Sequence, residues 1–199
     1  MRWLTLYARS RGVPVAFAVA VGAVALVWGG WSYFSDARTV NERAITLTVM
    51  LGVAAFARTL GGPDDSLDRT AAVRWPVRRC VHVVVVGAVI VGLLVPTLLT
   101  GARFEPVGVV ARNTAGLLGL TAFGAALFGA AVCWIAPLAW TIVSVLPIFA
   151  PSGRLVPQLA AWLIQPTGTT AATVCALVLA ALGLVAYAWR AGPNRTRQE

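Results

Sequence analysis

Few residues in this 199-residue chain could carry out catalysis. His82 is the only histidine, and all 16 basic residues are arginines because the chain has no lysine. The lack of lysine excludes a P-loop nucleotide site and Schiff-base chemistry, and one histidine supplies too few ligands for a zinc or haem site. Ser144 and His82 form the only formal pair of nucleophile and base. We expect His82 to have an interfacial or packing role and the chain not to be an enzyme.

The acidic residues lie outside the long apolar runs. They are Asp36, Glu42, Asp64, Asp65, Asp68, Glu105 and Glu199. A proton- or sodium-coupled carrier needs a carboxylate inside the membrane, so the sequence disfavours that class. Residues 64–68, DDSLD, could hold a metal for phosphate transfer, yet they fit the start of a helix equally well. We expect no metal and no cofactor. The cysteines, Cys80, Cys133 and Cys175, are odd in number, and two lie inside apolar runs, where we expect small buried apolar residues.

The composition indicates a membrane protein. Apolar residues make up 59% and charged residues 12% of the chain, whereas a soluble domain has about 45–50% and about 25%. The net charge is +9, but the arginines stand between apolar runs and not along one polar face. This pattern is typical of membrane orientation and argues against a nucleic-acid partner.

The apolar runs predict an all-α, polytopic helix bundle that forms one transmembrane domain over residues 1–199. A helix needs about 20 residues to cross the hydrocarbon core. The predicted spans are about 13–34, 44–60, 81–100, 114–136, 138–150 and 169–189. We expect Pro137 to mark the turn between the fourth and fifth spans. Residues 155–164 are too short to cross and are bracketed by prolines, which predicts a re-entrant or interfacial helix within an outer broken segment, 151–167.

The arginines set the expected orientation. With both termini inside, ten arginines fall in cytoplasmic segments: Arg2, Arg9, Arg11, Arg69, Arg74, Arg78, Arg79, Arg190, Arg195 and Arg197. Five fall in outer loops: Arg38, Arg43, Arg103, Arg112 and Arg154. Because cytoplasmic loops are enriched in arginine, we expect a multi-pass protein of the cell membrane with cytoplasmic termini and a cytoplasmic loop at 61–79.

The 61–79 loop has two interpretations. It is either a solvated, arginine-rich loop or a docking segment for another protein. In the second case Leu67, Ala71, Ala72 and Trp75 form an apolar stripe on a short surface helix that ends at Pro76. The candidate docking residues are Asp64, Asp65, Asp68, Arg69, Arg74, Trp75, Arg78 and Arg79.

Small residues in the fourth span predict close helix packing. Ala122, Ala126 and Ala130 recur every four residues, and Gly119, Gly124 and Gly129 recur every five. Helices in lipid associate where small residues let the backbones approach. The stripe serves either an ordinary contact within the bundle or a dimer seam.

This combination resembles the membrane subunit of an ABC exporter of the class with a six-helix permease. Residues 64–75 stand at the position of that family's coupling helix, residues 146–166 at the position of its outer broken hairpin, and residues 3–7 beside Arg2, Arg9 and Arg11 at that of an N-terminal surface helix. The phrases GGPDDSLDRTAAVRWPVRR and ARNTAGLLGL look like those of small actinobacterial membrane proteins.

The resemblance implies a permease subunit of an ATP-driven exporter, with a lipophilic or peptide-like cargo. Its implied partners are a separate cytoplasmic ATPase, a second six-helix subunit, identical or different, and membrane lipids. The alternative is a noncatalytic scaffold or accessory subunit of a larger membrane complex.

Overall fold

Helices make up nearly all of the regular structure. The computed structural model describes residues 11–61, 75–146 and 155–189. Its α-helices are α1 (Val13–Phe34), α2 (Glu42–Ala57), α3 (Trp75–Leu94), α4 (Val107–Phe128), α5 (Ile135–Val145), α6 (Leu155–Ala160) and α7 (Thr170–Ala188). Short 3-10 segments follow α2, α3 and α6 at Arg58–Leu60, Val95–Leu99 and Trp162–Ile164. No strand occurs in these ranges, so the expected all-helical class is confirmed.

Four of the described helices are long and apolar enough to cross a membrane. They are Val13–Phe34, Glu42–Leu60, Pro76–Leu99 and Thr170–Ala188. In α1 only Ala16 and Ala20 are buried, and large apolar side chains such as Leu26 face outward. An exposed apolar surface of this extent is unfavourable in water and suits the hydrocarbon of a bilayer.

Helix α4 lies in the interior of the bundle. Fourteen of its 22 residues are buried, and it packs against α2, α3, α5 and α7. The predicted bounds of this span, 114–136, are wrong, since the helix covers 107–128. It ends at Gly129, whose φ of 90° is unfavourable for any residue with a Cβ.

Two prolines have roles other than those predicted. Pro137 was expected in the turn between the fourth and fifth spans, but it lies buried in the first turn of α5. Pro76 was expected to end a helix in the 61–79 loop, but it lies in the first turn of α3. Proline suits a first turn because the N–H that it lacks has no partner in the helix there.

Hydrogen bonds between helices define two ends of the bundle. At the first, which we call the Arg11 end, α1 begins and α2 ends, and Nη1 of Arg11 donates to the carbonyl of Thr59 at 3.2 Å. The Thr59 hydroxyl lies 3.0 Å from Nε2 of His82, near the start of α3. The Tyr187 hydroxyl, near the end of α7, donates to the carbonyl of Leu60. The described chain therefore begins and ends at the same end of the bundle.

The opposite end, which we call the Arg112 end, joins the other helix termini. Nε1 of Trp28, late in α1, donates to the hydroxyl of Thr100 after α3 at 2.9 Å. The amide of Val40, before α2, donates to the carbonyl of Arg103, before α4, at 2.9 Å. Arg112 lies early in α4 and contacts the segment that leads into α7.

Helices α5 and α6 form a broken element between these ends. The thiol of Cys133, just before α5, donates to the carbonyl of Ala57 at the Arg11 end. Nε1 of Trp140 and the Ser144 hydroxyl donate to the carbonyl of Ala160, the last residue of α6, at 3.1 and 3.0 Å. Residues 161–165 then run buried to the Arg112 end. The fifth helix thus covers 135–145 where 138–150 was predicted.

Helices α4 and α7 approach closely through glycines. A Cβ on Gly119 would overlap the backbone of Ala180, and one on Gly183 would overlap the carbonyl of Gly119. Of the other small residues predicted to pack, Ala122, Gly124 and Ala126 lie in α4, whereas Gly129 caps it and Ala130 lies in the following turn.

Candidate functional site: the Arg112 cluster

The most unusual feature of the interior is a cluster of polar groups at the Arg112 end. It consists of Arg112 and Asn113 on α4, Thr46 on α2, and the carbonyls of Leu163, Gln165 and Pro166. Arg112 is only 8% exposed, and Asn113 and Thr46 are fully buried. We call this group the Arg112 cluster. A charge buried inside an apolar bundle is costly, so its partners indicate what it does.

The Arg112 guanidinium is held by neutral acceptors. Nη2 donates to the carbonyl of Gln165 at 2.6 Å and, at 3.5 Å, to that of Leu163. Nη1 donates to the carbonyl of Pro166 at 3.2 Å, and Nε donates to Oδ1 of Asn113 at 3.3 Å. One planar fork thus binds three carbonyls of one short segment, a geometry that suits arginine and not lysine.

Asn113 extends the cluster to α2. Its Nδ2 donates to the carbonyl of Leu163 at 2.7 Å and to the hydroxyl of Thr46 at 3.1 Å. The Thr46 hydroxyl donates to the carbonyl of Glu42 at 2.8 Å. Helix α2, helix α4 and the segment before α7 are therefore joined by one hydrogen-bonded network.

The spacing of residues on α4 explains how this segment reaches the helix. Gly108, Arg112 and Gly116 are four residues apart and share one helix face. A Cβ on Gly116 would overlap the ring of Trp162, and one on Gly108 would lie 3.1 Å from the Thr167 methyl. The two glycines make room for residues 162–167, and Arg112 between them binds the carbonyls.

The described part of the chain offers Arg112 no ion pair. Of the described acids, only Glu42, at the start of α2, interacts with it electrostatically. Two further donors nearby in the chain, Nε2 of Gln165 and Nε1 of Trp162, are buried without a hydrogen-bond partner among the described residues. The Arg112 cluster is therefore rich in donors and carries positive charge.

The Arg112 cluster has a structural role, which is to hold the short segment at residues 163–166 in place. Carbonyls outside a helix need other donors at membrane depth, because no water is available to them there. Arg112 and Asn113 supply donors to the carbonyl of Leu163, inside the 3-10 segment, and Arg112 to those of Gln165 and Pro166, just after it. The cluster thus holds the broken α5–α6 element against α2 and α4.

Comparison with known proteins adds no family to this description. No protein-family model, no curated protein and no solved structure matches the chain.

The residues predicted to dock a partner are only partly described. Asp64, Asp65, Asp68, Arg69 and Arg74 lie outside the described residues, while Trp75 is the first residue of α3. Arg78 is exposed. Arg79 donates to the carbonyl of Tyr187 at 3.4 Å, and its guanidinium carbon lies 5.8 Å from the centre of the Tyr187 ring.

The structure does not bring the formal nucleophile and base together. His82 contacts Thr59 at the Arg11 end, whereas Ser144 donates to the carbonyl of Ala160. Among the described residues, no group of three or more histidine, cysteine or acidic side chains could hold a metal.

The prediction that Arg112 lies in an outer loop is wrong. The arginine is inside α4 and buried. The available signal was the spacing Gly108, Arg112, Gly116, which places an arginine between two small residues on one helix face. That spacing says that something packs there, but not that its partner lies some 50 residues further along the chain.

Proposed function

We propose that the chain is the membrane-spanning permease subunit of an ATP-driven exporter of the cell membrane and works with a separate cytoplasmic ATPase. In this proposal the chain crosses the membrane six times. The passes are α1, α2, α3, α4, the broken α5–α6 element and α7. Both termini and the 61–79 loop are cytoplasmic.

The order in which the helices join the two ends supports six passes. Helices α1 and α3 run from the Arg11 end to the Arg112 end, and α2, α4 and α7 run in the opposite direction. The broken element returns the chain from Cys133, at the Arg11 end, to the Arg112 cluster. The arginine-rich 61–79 loop leaves α2 at the Arg11 end, which fits the positive-inside rule.

The observation that carries the proposal is that α2 joins the loop to the Arg112 cluster. The 3-10 segment that continues α2 is bonded through Thr59 and Leu60 to Arg11 before α1, to α3 and to α7. Near the start of α2, the Thr46 hydroxyl donates to the carbonyl of Leu163 at 3.3 Å and so holds the broken element. A partner that pulls on the 61–79 loop would move α2 and, with it, the α5–α6 element at the opposite face, as an exporter requires.

The proposal is tested by partner recovery from the native host. The tagged full-length chain is purified in mild detergent and assayed for a bound nucleotide-hydrolysing subunit. We expect the Arg74→Ala, Trp75→Ala double variant to lose this subunit at unchanged membrane abundance. Tryptophan and arginine often each contribute about 2 kcal/mol or more to an interface.

The matched control is Arg58→Ala, which removes an exposed arginine from the same end but lies outside the loop. It should keep the subunit bound. Full recovery of the subunit by a well-expressed double variant, or no such subunit bound to the wild type, would contradict the proposal.

The second candidate is a noncatalytic scaffold or accessory subunit. It is favoured by the tight contact of α4 with α7, where Gly119 and Gly183 leave no room for a side chain. A scaffold would hold its partners through the exposed faces of its helices and would retain them in the loop double variant.

A further inference from the structure

An apolar groove runs along the outside of the bundle between α3 and α4. Its volume is about 350 Å³. Val83, Gly87 and Val91 form one wall, Thr114 and Leu118 form the other, and Leu184 on α7 contributes to the floor. Thr114 turns its methyl group toward Gly87. Ala88 and Ala111, which also line the groove, are exposed, so the groove opens at the surface.

The shape of the groove fits a flexible chain better than a helix. Val83 to Val91 covers eight steps of about 1.5 Å, so the groove is about 12 Å long and parallel to the helices. A helix of that length with side chains is about 10 Å wide and fills about 900 Å³. The groove is therefore too small to enclose a helix of a second copy, whereas a polymethylene chain fits and would lie along the membrane normal.

Positive charge marks one end of the groove. Val83 follows Arg79 by one helical turn, and Leu184 precedes Tyr187 by one turn, so the contact between Arg79 and Tyr187 lies below the groove. Among the described residues, Arg11, Arg58, Arg78 and Arg79 lie at this Arg11 end. The described acids are Asp36, Glu42 and Glu105, and they lie toward the Arg112 end.

We infer that the groove binds an anionic phospholipid. One acyl chain fills the space between α3 and α4, and the phosphate lies near Arg79. Basic sites between membrane helices attract anionic headgroups in this way. The lipid comes from the leaflet at the Arg11 end. This site rests on the helices lying in a bilayer and not on the exporter proposal, since a scaffold would bind the same lipid.

The inference is tested by lipid binding to the purified full-length protein. Native mass spectrometry is used to titrate phosphatidylglycerol and phosphatidylcholine with identical acyl chains. We expect one tightly retained phosphatidylglycerol, bound about tenfold more tightly than phosphatidylcholine. Ala88→Phe and, from the other wall, Ala111→Phe fill the groove. Each variant should weaken phosphatidylglycerol binding by about tenfold or more, which is the effect of excluding roughly two methylene groups from the groove.

The controls separate the groove from general effects. Ala18→Phe adds the same ring to an exposed position on α1 and should leave binding unchanged. Arg79→Gln should remove the preference for phosphatidylglycerol, while Arg79→Lys and Arg58→Gln should keep it.

Three results would overturn the inference. The first is that both groove-filling variants bind phosphatidylglycerol as tightly as the wild type does. The second is that the wild type binds the two lipids with equal affinity. Finally, Ala88→Phe could change the dimer fraction and leave lipid binding intact, which would make the groove a contact between copies. Recovery of an ATPase plays no part in these readouts, so failure here is distinct from failure of the exporter proposal.

Discussion

Arg112 is a charged residue in a predominantly apolar interior, and its observed partners are three backbone carbonyls and Oδ1 of Asn113. A guanidinium can bind several carbonyls at once because its donors form a rigid planar fork. Of the three carbonyls that it binds, that of Gln165 belongs to a buried residue just after the 3-10 segment and accepts from Nη2 at 2.6 Å. The Leu163 carbonyl also accepts from Asn113 and Thr46. The Pro166 carbonyl also accepts from the amide of Thr169. The carbonyls of this segment thus supply acceptors to the buried guanidinium, and Arg112 supplies a donor to the buried Gln165 carbonyl.

Replacing Arg112 should destabilise the protein strongly. Arg112→Gln removes the guanidinium donors to the buried Gln165 carbonyl and one of the donors to each of the Leu163 and Pro166 carbonyls, and a buried polar group without a partner costs about 1–3 kcal/mol. We expect a loss of about 3 kcal/mol in the free energy of unfolding, measured by denaturant titration in detergent. Arg112→Lys keeps the charge but loses the planar fork of donors, so its free energy of unfolding should lie between those of the wild type and Arg112→Gln.

The control for this prediction is Arg43→Gln, which removes an exposed arginine from α2 at the same end of the bundle. Its effect should stay within about 0.5 kcal/mol. Equal stability of the Arg112→Gln and Arg43→Gln variants would show that the Arg112 cluster does not hold the fold.

Sequence reasoning missed Arg112 for a physical reason. The neighbouring residues Arg112 and Asn113 follow the loop segment GARFEPVGVV, and two adjacent polar side chains ordinarily face water. Their burial depends on residues 163–166, which reach them only in the folded bundle. Polarity alone therefore placed them in a loop, and only the glycines at 108 and 116 pointed to a packed face.

At the scale of the helices, the apolar length of a run decided how well its bounds were predicted. Helix α1 covers 13–34 as expected, and α7 begins and ends one residue inside the predicted 169–189. These runs are uninterrupted and border polar residues. The observed bounds of α4 and α5 differ from the predicted ones for two reasons. Gly129 ends α4 although the apolar sequence continues, and Pro137 lies in the first turn of α5 and does not separate two helices.

The contact between α4 and α7 depends on Gly183. A Cβ there would overlap the carbonyl of Gly119, so Gly183→Ala must push the two helices apart. Overpacking of this kind costs about 1–3 kcal/mol, and we expect a lower melting temperature in detergent.

Gly92→Ala is the matched control, because a Cβ at this position on α3 meets nothing within 4 Å. Its melting temperature should stay the same or rise, since alanine favours a helix over glycine by about 1 kcal/mol. If both alanine variants melt like the wild type, the close approach of α4 and α7 does not stabilise the bundle.

At the scale of the whole molecule, the two ends of the bundle differ in what they hold. The Arg11 end gathers the first and last described residues with the exit of the 61–79 loop. The Arg112 end gathers the broken element and the buried polar network. Helix α2 belongs to both, through Thr59 and Thr46. In the exporter proposal, this arrangement would connect a cytoplasmic partner at the Arg11 end to the opposite face, which requires the two ends to lie on opposite sides of the membrane.

Cysteine accessibility in intact cells tests that central claim most directly. Cys80→Ala, Cys133→Ser and Cys175→Ala give a cysteine-free version, in which serine keeps a donor for the carbonyl that Cys133 contacts. Single cysteines then replace Ser66, Gly101 or Asn194, and a membrane-impermeant maleimide is added. We predict labelling at position 101 in intact cells and at positions 66 and 194 only after permeabilisation. Labelling of position 66 or 194 in intact cells would contradict the account.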